Sequence, residues 1–298
     1  MKRERVTARG RARAAEPEGH SSKAPRRRAY GSVAVVLALG LSTAACSAGG
    51  PTSVAGRQTL RIGVKADQPG LGLRLADGRF TGFDVDVATY VAARLGVRPD
   101  HITFVPVTSA TREKVLENGS ADMVVATYSI TPERGTLVTF AGPYYVAHQD
   151  TMVRAAETTI HTVHDLTGKR LCKAAGSNSW KRVTLELGIA AILVPAPSYS
   201  ACVAMLLAGT VDAVSTDDLI LAGFADRAGP AVRILNAPFS DERYGIGLKK
   251  GDLSGCEAIN RAVSQMYLDG TATRLLHKWF GQTRLALDPY VPQFEGCD

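Results

Sequence analysis

Runs with strand character alternate with runs of helical character from residue 59 to residue 280, and the alternation occurs as two successive blocks. In the first block TLRIGV (59–64) reads as a strand and RFTGF (79–83) as an extended entry to a helix over 84–96. ITFVPV (102–107) is a strand, TREKVLENG (111–119) a short helix closed by Gly119, and DMVVA (122–126) a strand. A helical turn follows Thr131, with Pro132 where a missing N–H is tolerated. The second block opens with a short helix and turn at HDLTG (164–168) and a strand at KRLCKAA (169–175). GSNSW then leads a helix to Gly188, ILVPAP is a strand, YSACVAMLLAG (199–209) a helix and VDAVSTD (211–217) a strand. A helix through Phe224, a strand at VRILN (232–236) and two helices at 253–269 and 271–280 complete the chain. Such alternation calls for an α/β fold with mostly parallel sheets flanked by helices. Two blocks of about 90 residues call for two lobes. No clean linker separates them. Two extended segments, YYVAHQDTMVR (144–154) and DERYGIGLKKG (241–251), instead carry the chain across. The chain is therefore expected to cross between lobes twice, with the final helices back on the first lobe. Ligands bind such folds in the cleft at the carboxyl ends of the strands.

The net charge of +7 in 298 residues raises nucleic acid or an acidic surface as partners. Its distribution excludes them. Residues 1–30 carry ten Lys and Arg against three acids, which is the whole excess, and the rest holds twenty-five of each sign. The basic leader ends in Arg26-Arg27-Arg28, and thirteen mostly apolar residues, Val33–Ala45, follow it. A charged region, a short apolar run and small residues are export chemistry. The run is shorter than the roughly 17–25 residues that span a bilayer. TAAC (43–46) resembles a bacterial lipobox, with Thr43 where Leu is preferred, so residues 1–45 read as a signal peptide and Cys46 as a lipidation site. Arg27-Arg28 also raises twin-arginine export, which the residues after it fit poorly. SAGGPTSVAG after Cys46 is a small-residue linker, so 46–57 is expected to tether a body that begins near Gln58.

Four cysteines remain, Cys172, Cys202, Cys256 and Cys297, and an even number in an exported chain suggests two disulfides. Of three pairings, Cys172–Cys202 and Cys256–Cys297 keep each bond within one block, and the second pins the chain end. The rival is a zinc site, but there is no C-x-x-C pair and no histidine cluster.

GFDVDVATYVAARLG (82–96) is an amphipathic helix with Asp84 as its expected cap and Asp86 in the first turn. Val87, Val91 and Leu95 mark the buried face, and Gly96 the stop. The pattern G-F-D-V-D-V-x3-V-A-x2-L resembles the signature of the extracellular solute-binding proteins, family 3, which feed polar amino acids to ABC importers. The resemblance continues through IGVKADQPG (62–70), ATYSITPERGTLVTFAGPYY (126–145), VDAVSTD and the last helices. It is strongest to the glutamine/glutamate-type lipoproteins of high-GC Gram-positive bacteria.

The resemblance implies a type II periplasmic-binding-protein-like fold, with lobe 1 formed by 58–147 and 247–298 and lobe 2 by 148–246. It implies no catalysis, no cofactor and no metal. It also implies a free amino acid as ligand, a membrane permease and ATPase as partners, a monomer, and a lipid-anchored place on the extracytoplasmic face of the cell membrane. An amino acid leaves water only if each of its charges finds a partner. Arg134 is the expected bidentate grip on the α-carboxylate, helped by Ser129. Ser177 and Asn178, in GSNS at a helix start, are expected to join it. Asp217 is assigned to the ammonium, with Asp218 as the competing choice, and the Thr127 carbonyl shares that role. Lys65, Ser109 and Arg112 match the pattern of acidic-amino-acid binders around the side chain, and Asp67 borders the same pocket. Glutamate is preferred over aspartate, with glutamine or asparagine as the alternative. A sensor lipoprotein and a dehydratase-type enzyme are the readings from other classes.

Overall fold

The computed structural model describes residues 53–283, 285, 287 and 290–298. The expected signal peptide, Cys46 and the linker as far as residue 52 lie outside the described residues. Residues 53–57, expected as linker, already belong to the folded body. Val54 is buried, and its N–H donates to Asp252 Oδ2 at 2.9 Å.

The first block begins with β1 (Leu60–Val64), buried at every residue but Arg61. It lies between β5 (Ile102–Pro106) and β6 (Met123–Val124), parallel to both. A strand covered on both faces needs this near-continuous apolar run. Between β1 and β5 come β2 (Asp67–Gln68), β3 (Gly72–Arg74) and β4 (Phe80–Thr81), which form a small antiparallel ribbon, and then α1 (Phe83–Arg94). Strands of two or three residues carry no periodicity, so β2 and β3 were not legible beforehand. α2 (Arg112–Glu117) precedes β6, and α3 (Pro132–Gly135) leads into β7 (Val138–Arg154).

The second block holds β8 (Arg170–Ala174), α4 (Ser179–Lys181), β9 (Ile192–Ala196), α5 (Tyr199–Leu207), β10 (Ala213–Asp217), α6 (Asp218–Ala228) and β11 (Val232–Ile234). The expected helix up to Gly188 is instead the single turn of α4 followed by a π-helical turn, Arg182–Glu186. β12 (Ser240–Lys249), α7 (Leu253–Leu268) and α8 (Thr271–Phe280) close the chain.

The main sheet runs β5-β1-β6-β12-β7-β10-β8-β9, with β11 also on β7. Parallel strands occupy both ends, and β7 and β12 run antiparallel through the middle. The two expected crossings are thus one hydrogen-bonded pair, which joins both halves into a continuous sheet. Its register breaks at the centre: Tyr244 faces Tyr145, whereas Ile246 faces Ala141. The backbone of this bulge is satisfied from outside the sheet. Gly142 N–H donates to Asn260 Oδ1 at 2.7 Å, its carbonyl accepts from Glu295 N–H at 3.1 Å, and the Tyr144 carbonyl accepts from Tyr267 Oη at 2.9 Å.

α7 buries Cys256, Ile259, Val263 and Met266 against β7 and α1. α8 is tied to α1 through Asp86, which accepts from Lys278 Nζ and Trp279 Nε1, both at 2.7 Å. Asp84 is not the cap of α1. Gly82 holds that position, at φ 135°, where a Cβ would lie 2.0 Å from the Leu71 carbonyl oxygen. The Asp84 side chain instead turns into the core, where Oδ1 accepts from Tyr144 Oη at 2.7 Å and Oδ2 from Thr127 N–H at 2.9 Å. The two disulfides pair as expected: Cys172–Cys202 joins β8 to α5, and Cys256–Cys297 fastens the last residues to α7, with Cα separations of 5.6 and 5.9 Å. Among the described residues no helix is long and apolar enough to cross a membrane.

Candidate functional site

Three cations gather where the parallel strands of the first block end. Lys65 follows β1, Arg112 opens α2 after β5, and Arg134 lies in α3 beyond β6; all three are buried. Lys65 Nζ donates to Ser109 Oγ at 2.6 Å. Arg112 Nη1 donates to the carbonyls of Ala126 (3.0 Å) and Thr127 (2.9 Å), and its guanidinium lies 4.1 Å from the Tyr128 ring centroid. Its Nε is buried without a hydrogen-bond partner. Arg134 is oriented by Thr131, whose hydroxyl accepts its backbone N–H and so caps α3. Its Nη1 donates to the Ser129 carbonyl at 2.8 Å, and its guanidinium is 5.3 Å from the Tyr128 ring.

The acids lie on the opposite wall. Asp217 ends β10, and its Oδ2 accepts from Tyr244 Oη of β12 at 2.6 Å. Asp218 behaves as a helix-start residue, its Oδ1 accepting from Leu219 N–H at 2.7 Å. Glu242 of β12 is also buried, and accepts from Asn178 Nδ2 at 3.2 Å and Arg182 Nε at 2.7 Å.

The walls meet through several contacts. Arg134 Nη2 donates to the Gly176 carbonyl at 3.1 Å. Gly176 has φ 71°, and a Cβ there would sit 2.4 Å from Ala110 N, so the glycine seats the backbone of one wall on that of the other. Lys181 Nζ reaches Glu133 Oε2 at 2.6 Å. Asp67 reaches across as well, its Oδ2 accepting from Ser200 Oγ of α5 at 2.6 Å. A groove of about 740 Å³ along this junction is lined by Ser109, Arg134, Gly176, Ser177, Asn178 and Trp180, among others.

Sequence reasoning therefore brought Lys65, Ser109, Arg112, Thr127, Ser129 and Arg134 to one wall, and Ser177, Asn178 and Asp217 to the other. Two details differ. The Thr127 carbonyl, expected to face an ammonium, accepts from Arg112. Asp67, expected in the side-chain pocket, is hydrogen-bonded to Ser200. Glu242, Tyr244 and Tyr128 were missed. For the first two a signal existed: residues two apart on an extended strand share a face.

The charges of the two walls are unevenly matched. Burial, and then the Arg112 charge, pull Lys65 down to about 7. Burial, and then Arg134, pull Arg112 down to about 10. On the other wall burial, and then Glu242, hold Asp217 far above the usual carboxylate range. One pole strains toward an anion and the other toward a cation. A molecule with separated opposite charges suits both at once.

Two α/β halves joined by a pair of crossing strands, with a polar cleft between them, define the type II periplasmic-binding-protein fold. The profile of the bacterial extracellular solute-binding proteins, family 3, matches residues 60–282. The chain belongs to that family. It is 40% identical to the glutamate-binding protein GluB of Corynebacterium glutamicum over 268 residues, covering 85% of this chain and 90% of the relative. It is 34% identical to the ABC transporter glutamine-binding protein GlnH of Bacillus subtilis over 220 residues, 73% of this chain and 80% of the relative. Among solved structures, an ancestral arginine-binding protein bound to arginine superposes with a TM-score of 0.69 at 33% identity, covering 76% of this chain and 99% of that one.

Proposed function

We propose that this protein is the solute-binding component of an ABC importer for a polar amino acid, with glutamate preferred over aspartate. It acts as a monomer anchored by a lipid on Cys46 at the extracytoplasmic face of the membrane, and it hands its ligand to a membrane permease served by an ATPase. Residues 58–147 with 247–298 form one lobe and 148–246 the other, and the lobes shut on the ligand. The observation that carries this reading is the opposed polarity of the cleft: buried Lys65, Arg112 and Arg134 on one wall, buried Asp217 and Glu242 on the other.

Arg134, Ser129, Ser177 and Asn178 take the α-carboxylate, and Asp217 takes the ammonium. Lys65, Ser109 and Arg112 take the side-chain carboxylate. A neutral amide beside two buried cations would leave their charge underpaired, at a cost of about 1–3 kcal/mol or more. The similarity to a protein named for glutamate binding supports the acidic choice. A glutamine ligand is the second reading. Asp67 raises Lys65 and so offsets part of the positive charge there, and the glutamine-binding relative fits this.

Calorimetry on residues 47–298 with Glu, Asp, Gln and Asn tests the proposal. Glutamate binding most tightly is the expected result. Glutamine ahead of glutamate would overturn the pocket assignment, and turnover of any substrate would overturn the reading as a binder.

A further inference from the structure

Glu242 is a buried carboxylate for which the sequence offered no role. It stands on the crossing strand β12, two residues before Tyr244 and on the same face. The Tyr244 hydroxyl ends on Asp217, so the side chains of 242 and 217 share one side of the sheet. Oε2 of Glu242 accepts from Asn178, a residue already placed on the second wall, and Oε1 accepts from Arg182.

Neutralising Arg182 does not account for Glu242. Arg182 Nη1 already contacts both oxygens of the more exposed Glu186, at 2.7 and 2.6 Å. Burying a second carboxylate costs desolvation that a shared guanidinium repays only in part.

We propose that Glu242 sets the ligand specificity of this wall: beside Asp217 and bonded to Asn178, it makes a two-carboxylate pole that demands an ammonium. The site then takes α-amino dicarboxylates and rejects diacids of the same length that lack the amino group. This inference rests on the ligand reading above and extends it.

The neighbours of the pair define the charge balance. Asp217 faces Glu242 and Tyr244 from β12, Asp218 from α6, Tyr199 from α5 and Arg134 from α3. Glu242 faces Arg182 and Asn178. Burial, and then the Glu242 charge, hold the Asp217 carboxyl well above the usual carboxylate range, and an arriving ammonium expels the proton it holds. Binding of an amino acid at this pole therefore releases protons.

The test is calorimetry in two buffers of different ionisation heat, with L-glutamate and glutarate as ligands. The wild-type protein is expected to release protons on binding glutamate and to bind glutarate far more weakly. Glu242→Gln, which can keep the Asn178 bond, should shrink the glutarate-to-glutamate gap about tenfold or more and reduce the proton release. Arg182→Gln should increase the proton release, because it strips the countercharge from Glu242. A Glu242→Gln protein with the wild-type gap and proton count overturns the assignment and leaves the ligand reading standing. Should that variant fail to fold, an unchanged proton count in Arg182→Gln overturns it equally. Wild-type protein that binds no amino acid overturns the ligand reading, and this inference with it.

Discussion

Arg134 and Arg112 share a wall and a tyrosine ring, yet they are anchored differently, and the difference predicts different phenotypes. Arg134 bridges the walls, from the Ser129 carbonyl to the Gly176 carbonyl. Arg112 stays on its own wall and keeps a buried Nε unpaired. Arg134→Ala is therefore expected to lose every amino-acid ligand by calorimetry. Arg112→Met should mainly move preference from glutamate toward glutamine, and equal losses in both variants would contradict this division. Asp84 shows why residue identity alone misleads. Its place at the mouth of a helix suggested a cap, but it is a fully buried acceptor for Thr127 and Tyr144. Asp84→Ala strands both donors and should cost roughly 2–4 kcal/mol of stability. Burial, the leading cause, lifts Asp84 to about 6 from its ordinary 3.8. A raised folded-state value stabilises the protein below 3.8, and that contribution is lost as pH rises through 6. The Tm of the wild type relative to Asp84→Asn should accordingly fall from pH 4 to pH 7; an offset independent of pH would refute the assignment.

At the scale of elements, long and periodic segments were readable and short ones were not. α1, α5, α7 and α8 have enough turns for a buried stripe to show, and their bounds lie within two residues of expectation. β2 and β3 are too short to leave a pattern, and the π-helical turn at Arg182–Glu186 follows residues that read as ordinary helix. The disulfides belong to this scale, since each joins an element to a distant one. Cys172–Cys202 closes a span of 30 residues and Cys256–Cys297 one of 41. Opening either should cost about 3–4 kcal/mol by the loop-entropy estimate. Paired Cys→Ser variants in chemical denaturation check this, and a loss well under 1 kcal/mol would show that the unfolded chain gains little freedom. Removing the second bond carries a further expectation. The chain end also binds Gly142 in the β7 bulge and Arg243 of β12. Its release should therefore raise hydrogen exchange at residues 140–146.

For the whole molecule, the decisive feature is how closely the two walls approach. Gly176 meets Ser109 and Ala110, and Gly223 of α6 meets Pro69, where a Cβ would lie 2.0 Å from the carbonyl oxygen. Both obstacles are backbone of the opposite half, which cannot swing aside. Gly176→Ala is expected to leave the folding of each half intact while weakening all ligands alike, because the walls can no longer meet. An unchanged Kd would show that the site does not need this approach. By itself the sequence determined the α/β class, the twofold block structure, the disulfide partners and most of the polar residues at the cleft. Those follow from local periodicity, from spacing and from motifs that resemble a family. Only the tertiary structure decided that the two crossings are one bulged strand pair, that Asp84 turns inward, and that Glu242 joins Asp217. These depend on side chains from segments far apart in the chain meeting in space, and no local pattern encodes such a distance.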